Sequence, residues 1–131
     1  LAWSHARFSE NSVDGNYIPG AVIATANLGV TIDNLGPWFG SVRLRYFGKR
    51  PLIEDNSVRS SSSSLTNMRL GYKLDKQTQV WVDVYNFFNR EVNDIEYWYD
   101  SQLPNEIAPV FDRHIHPSEP RTFRLTLSHR F

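Results

Sequence analysis

The side chains best suited to chemistry in this sequence fall into three groups. His114 and His116 stand two apart, with Glu119 close behind. On a strand, residues two apart face the same way. Two imidazoles and a carboxylate could then ligate zinc or copper. No clear third and fourth ligand accompanies them, and Pro117 and Pro120 suit a loop-to-strand junction. The pair is a weak metal candidate, and no cofactor is expected.

Tyr97-Trp98-Tyr99 is the second group, among Glu91, Asp94, Glu96 and Asp100. Tyr and Trp combine rigid apolar area with a polar handle, which suits a ligand platform on a loop. The competing reading is a strand carrying interfacial aromatics. The third group is basic. Arg43, Arg45, Arg69, Lys73, Arg124 and Arg130 fall on polar strand faces against essentially one acid, Asp83. A concave basic wall focuses field on an anionic ligand. The same residues could instead pair with acids elsewhere in the protein, as ion-pair networks commonly do.

Enzyme chemistry finds no support. There is no G-x-S-x-G elbow and no glycine-rich phosphate loop. Asp83, Asp112 and Glu119 are scattered without the logic of a paired-acid site. Cysteine is absent, which excludes disulfides, thiol catalysis and cysteine metal sites. Acidic and basic residues balance at 14 each, so no net field draws the chain to nucleic acid.

The elements that must position these residues are strands. Aromatics make up 14% of the chain, yet mean hydropathy is polar. No apolar run approaches the ~20 residues of a membrane helix. Alternation reconciles the two, and period-2 patterning recurs through most of the sequence. In 21–33, Val22, Ala24, Ala26, Leu28, Val30 and Ile32 share a face. Trp38, Val42, Leu44 and Tyr46 oppose Ser41, Arg43 and Arg45 in 38–48. In 64–75, Thr66, Met68, Leu70, Tyr72 and Leu74 oppose Asn67, Arg69, Gly71 and Lys73. Val80, Val82 and Val84 face away from Trp81, Asp83 and Tyr85. Phe123, Leu125, Leu127 and Phe131 oppose Arg124, Thr126, Ser128 and Arg130. Residues 1–8 read as a further strand, and 90–100 could hold no more than a short helical turn.

Loop lengths carry a second signal. The connections at 34–37 and 76–78 are tight turns, whereas those at 9–20, 49–63 and 89–119 are long. Short periplasmic turns alternating with long extracellular loops mark membrane barrels. Strands of roughly 9–12 residues suit a tilted bilayer crossing. The expected fold is all-β, an antiparallel up-and-down meander of about six strands over 1–131, forming a sector of a transmembrane β-barrel. Alternation alone also fits a soluble β-sandwich, where the apolar faces would meet in a core. The opening Leu1-Ala2-Trp3 is neither a start methionine nor a signal sequence, and reads as a cut from a longer chain.

The final stretch, RTFRLTLSHRF, resembles the C-terminal strand of bacterial outer-membrane proteins. Phe123, Leu125, Leu127 and Phe131 match its alternating apolar positions and terminal aromatic, while His129 departs. The order of RYFGKRP (45–51), Gly71-Tyr72 and VWVDVYNFFNR (80–90) resembles the end of TonB-dependent receptors, over nearly the whole chain. The resemblance implies an outer-membrane importer with an N-terminal plug inside a barrel of about 22 strands. Its cargo would be a scarce nutrient, most often a ferric siderophore. Its partners would be outer-membrane lipid, the remaining strands and plug, the TonB complex, and the barrel-assembly machinery that reads Phe131 and its alternating partners. Tyr97, Trp98 and Tyr99 would then lie in a ligand loop, and the basic faces would line the lumen. A porin or a barrel enzyme is the neighbouring alternative.

Overall fold

Alternating sequences with β-branched and aromatic residues favour extended backbone, and every regular element of the computed structural model is a strand. The structure describes residues 1–131, leaving out the side chains of Asn11 and Ser12. No helix occurs among the described residues. In chain order the strands are β1 (Ala2–Trp3), β2 (Arg7–Ser12), β3 (Gly15–Tyr17), β4 (Ala24–Leu35), β5 (Trp38–Phe47), β6 (Ser63–Lys73), β7 (Thr78–Tyr85), β8 (Asn93–Ser101), β9 (Val110–Pro117) and β10 (Thr122–His129).

Six of them form one sheet, ordered β1-β4-β5-β6-β7-β10, with β1 and β10 at its edges. The pairs β1/β4, β6/β7 and β7/β10 are antiparallel. This is the meander expected from the alternation. Two of the long connections differ from expectation. Over 7–17 and 93–117, overlapping the expected loops 9–20 and 89–119, the chain forms the hairpins β2/β3 and β8/β9, each a two-stranded sheet of its own. Residues 90–100, considered for a helical turn, run into β8. The first strand is also shorter than 1–8, because pairing with β4 covers only Ala2 and Trp3.

The chain divides into two compact units. One comprises 26–46, 64–91 and 119–131, most of the large sheet. Its register carries the alternation across strands. Leu70, Val82 and Leu125 form one rung, flanked by Met68, Val84 and Phe123 and by Tyr72, Val80 and Leu127. The intervening rungs are Arg69, Asp83 and Arg124, then Gly71, Trp81 and Thr126. Phe39 lies over Gly71, where any side chain would run into its ring, and meets Trp81 edge-on. The tight turn between β4 and β5 needs Gly36, whose φ of 63° is a left-handed conformation.

Burial in this unit is inverted relative to a water-soluble domain. Its apolar face is open, with Leu70 60%, Leu125 73% and Leu28 66% exposed. Its buried residues that carry side chains are polar: Asp83 and Asn86, at 7% and 4% exposure of the whole residue. The other unit comprises 1–25, 47–63 and 92–118, the two hairpins and the 47–63 loop. It holds the buried apolar side chains of the described chain, Pro51 and Leu52.

Candidate functional site

The polar face of the large sheet gathers most of the basic residues singled out in the sequence. Asp83 is its centre. The Arg69 guanidinium grips its carboxylate with both arms, Nε to Oδ1 at 2.6 Å and Nη2 to Oδ2 at 3.0 Å. The Trp81 indole N–H donates to the same Oδ2 at 3.2 Å. Bidentate, charge-assisted geometry of this kind holds a side chain in one orientation. On the far side of β7, Arg124 is the cross-strand partner of Asp83 and lies 5.2 Å over the Tyr85 ring. Arg69 lies 5.3 Å over Trp81. Ring faces attract cations at such distances, so aromatics help to support a rung with two cations and one anion.

Beside this rung lies a cleft of about 210 Å³, lined by Ser41, Arg43, Asn67, Arg69, Asp83 and Tyr85. Arg43 also reaches a shallower depression of about 520 Å³ shared with Asn27, Arg45 and Asn67. Lys73 belongs elsewhere. Its ammonium donates to the Asp33 carbonyl at 2.9 Å and the Asn34 Oδ1 at 2.8 Å, which ties it to the β4–β5 turn. The expected basic wall therefore contains one neutralising pair, one cation bound to a turn, and a cationic remainder around Arg43 and Arg124.

The aromatic run Tyr97-Trp98-Tyr99 lies on β8, a strand rather than an irregular loop. Alternation puts Tyr97 and Tyr99 on one face and Trp98 on the other. Tyr99 stacks on His114 at 3.8 Å between ring centroids, and Tyr97 is the cross-strand partner of His114. His114 and His116 both lie on β9, a strand rather than a loop-to-strand junction. The Nε2 of His114 is buried without a hydrogen-bond partner. Among the described residues no group of three His, Cys, Asp or Glu is arranged to hold a metal ion.

Phe123, Leu125 and Leu127 lie on the open face of edge strand β10, at 67%, 73% and 68% exposure. Phe131 follows the strand and meets the His129 ring edge-on. His129 in turn shares a 2.9 Å hydrogen bond with the Thr78 hydroxyl.

Three organising residues were not singled out from the sequence. Asn86 has a left-handed φ of 48° and a buried side chain. Its amide donates to the carbonyls of Arg90 and Glu119 and accepts from the Arg90 N–H. Asn89 repeats the conformation and accepts from the Arg121 N–H. The two asparagines flanking Phe87-Phe88 were the available signal, since Asn tolerates this backbone region. Glu96 is 2% exposed, accepting from Arg113 Nη1 and the Ser61 N–H at 3.0 Å each. Nothing local marks it, because Arg113 stands 17 positions away.

Comparison with protein-family models, with curated proteins and with solved structures finds no match for this chain.

Proposed function

We propose that this chain is a wall sector of an outer-membrane β-barrel, within an active importer of the TonB-dependent type. The observation that carries the reading is the inverted burial of the large sheet. Leu28, Val30, Leu44, Leu70, Val82, Phe123, Leu125 and Leu127 stay open, while Ser63 and Asp83 are the buried side chains of its strands. An open apolar face of many large side chains needs a solvent or a partner of its own. Lipid meets that need along a whole sheet face, with the charged rungs turned to a lumen. β4, β5 and β6 have 12, 10 and 11 residues, enough for a tilted crossing of ~9–11 residues.

The importer assignment rests on the resemblance of RYFGKRP, VWVDVYNFFNR and the terminal strand to TonB-dependent receptors. In that reading the chain supplies wall, hairpins and assembly signal. Capture of a small-molecule ligand, most commonly a ferric siderophore, would fall to β8/β9 and the 47–63 loop. Energy would come from TonB acting on a plug. A passive porin or a barrel enzyme shares the wall but not the plug.

The test is expression of the chain followed by transfer to plain buffer and to detergent. A fold that requires detergent supports the wall. A monodisperse, cooperatively melting species in plain buffer overturns it in favour of a soluble sheet protein. The coding sequence upstream then separates the barrel classes: a plug domain of over a hundred residues supports the importer, and its absence removes it.

A further inference from the structure

A further cavity lies in the hairpin unit. It is built where β2 leaves β1, where the chain enters β4, and where the 47–63 loop folds back. Ser4 N–H donates to the Ile23 carbonyl at 2.8 Å, and Tyr17 N–H to the Glu54 carbonyl at 3.0 Å. Pro51 and Arg59 pair as an isolated antiparallel bridge. These bonds set walls around a cavity of about 170 Å³, whose polar lining includes His5, Arg7, Tyr17, Asn56 and Arg59.

Its chemistry is one-sided. Arg7 lies 3.2 Å from the centroid of the Tyr17 ring and donates through Nη1 to Asn16 Oδ1. Stacking fixes the plane of the fork, and the other guanidinium N–H groups have no acceptor among the described residues. Among the described residues, neither Arg7 nor Arg59 pairs with a carboxylate, and no acidic residue lines the cavity. Asn56 holds a left-handed φ of 61° there, and its Oδ1 is buried without a hydrogen-bond partner. Amide oxygen and nitrogen exchange by a simple flip, so the same side chain can present its NH₂ to an acceptor. Burying such a group unmatched is costly, and a ligand that matches it removes the cost.

We infer that this cavity is a binding site for a phosphate group, held by Arg7 and Arg59 with His5 and Asn56. Two permanent cations with no facing anion match a doubly charged phosphate better than a single carboxylate. Guanidinium forks match phosphate oxygens in pairs. The volume is below the ~300–1,000 Å³ of sites that hold drug-sized ligands. It therefore suits a phosphate or headgroup rather than a bulky chelate. The phosphate could belong to a soluble ester or to a lipid.

The site is tested with the full chain in maltoside micelles, free of phosphate, by calorimetric titration with inorganic phosphate. One saturable site is expected. R59Q and R7Q should each weaken it at least tenfold with unchanged far-UV circular dichroism, and R59K should recover part of the loss. R43Q, on the large sheet, should leave it unchanged. Glycerol 3-phosphate and short-chain phosphatidate then separate the sources. Equal affinity indicates a soluble ester, and phosphatidate at least tenfold tighter indicates a lipid headgroup. Absence of saturable binding by all three probes, or equal weakening by R43Q and R59Q, overturns the site. Phosphate binding does not depend on whether the sheet faces lipid, so each reading fails by its own measurement.

Discussion

Asp83 on β7 receives both nitrogens of the Arg69 fork from β6, and the two are direct cross-strand partners. The side chains differ in environment: Asp83 is 10% exposed and Arg69 43%. The pair thus lies half-buried on the polar face of the sheet, with Arg124 completing the rung from β10. Removing the one anion leaves two cations flanking a neutral position on the rung.

Asp83→Asn should accordingly destabilise the fold by roughly 1–3 kcal/mol, between the values for exposed and for buried pairs. The double variant D83N/R69Q should lose less than the sum of the single losses, because the arginine is already unpaired in D83N. Urea midpoints in micelles for the four proteins of the cycle measure this. Strict additivity would mean that the rung contributes no coupling.

Leu125 and Thr126 are neighbours on β10 facing opposite ways, and Leu125 is 73% exposed. If the apolar face meets lipid, Leu125→Arg costs about 2–4 kcal/mol near the bilayer midplane. Thr126→Arg, toward the polar face, should be tolerated. If that face meets water, an exposed substitution stays within about 0.5 kcal/mol. Folding into phospholipid vesicles, followed by denaturant titration, distinguishes the two, and equal effects of both arginines would count against the lipid-facing assignment.

Asn86→Ala removes three side-chain hydrogen bonds and forces a residue with a Cβ and no polar group into a left-handed backbone. The expected loss is about 2–4 kcal/mol, from unsatisfied carbonyls and backbone strain together. Asn86→Gly should recover the strain component only. Amide exchange at Phe87–Arg90 and at Arg121 should rise in both variants. Unchanged protection there would show that the hub does not hold the loop to the start of β10.

The β6–β7 turn carries a titrating cap. Asp75 Oδ1 accepts from the Gln77 N–H at 2.7 Å and from the Thr78 N–H at 2.8 Å. The hydrogen bond from Gln77 leads the effects that hold this carboxyl below its usual range. A depressed folded value means that the cap's contribution is present above the ordinary carboxylate value and is lost as pH falls through the folded one. Amide protection of Gln77 and Thr78, referenced to intrinsic exchange rates, should fall in that acid window. D75N should abolish the pH dependence, and its persistence in D75N would assign it to another group.

Much of the large sheet was legible in the sequence. Successive Cβ atoms alternate across a strand whatever the strand pairs with, so Leu70, Val82 and Leu125 could be assigned to one face and Arg69, Asp83 and Arg124 to the other. The tight turns were equally local, since Gly36-Pro37 marks a reversal by its own backbone preferences. What the alternation left open was which residues meet. Register decides that, and it depends on pairing between distant segments. It makes Arg69 the partner of Asp83, sets Lys73 on a turn and brings Arg113 to Glu96. The two hairpins escaped for the same reason, because β8 and β9 are stabilised by each other rather than by either run alone. The cavity at Arg7 and Arg59 was still less legible, since three separate segments converge there and none carries a motif for it. Local geometry therefore determined the faces, and tertiary contact selected the partners.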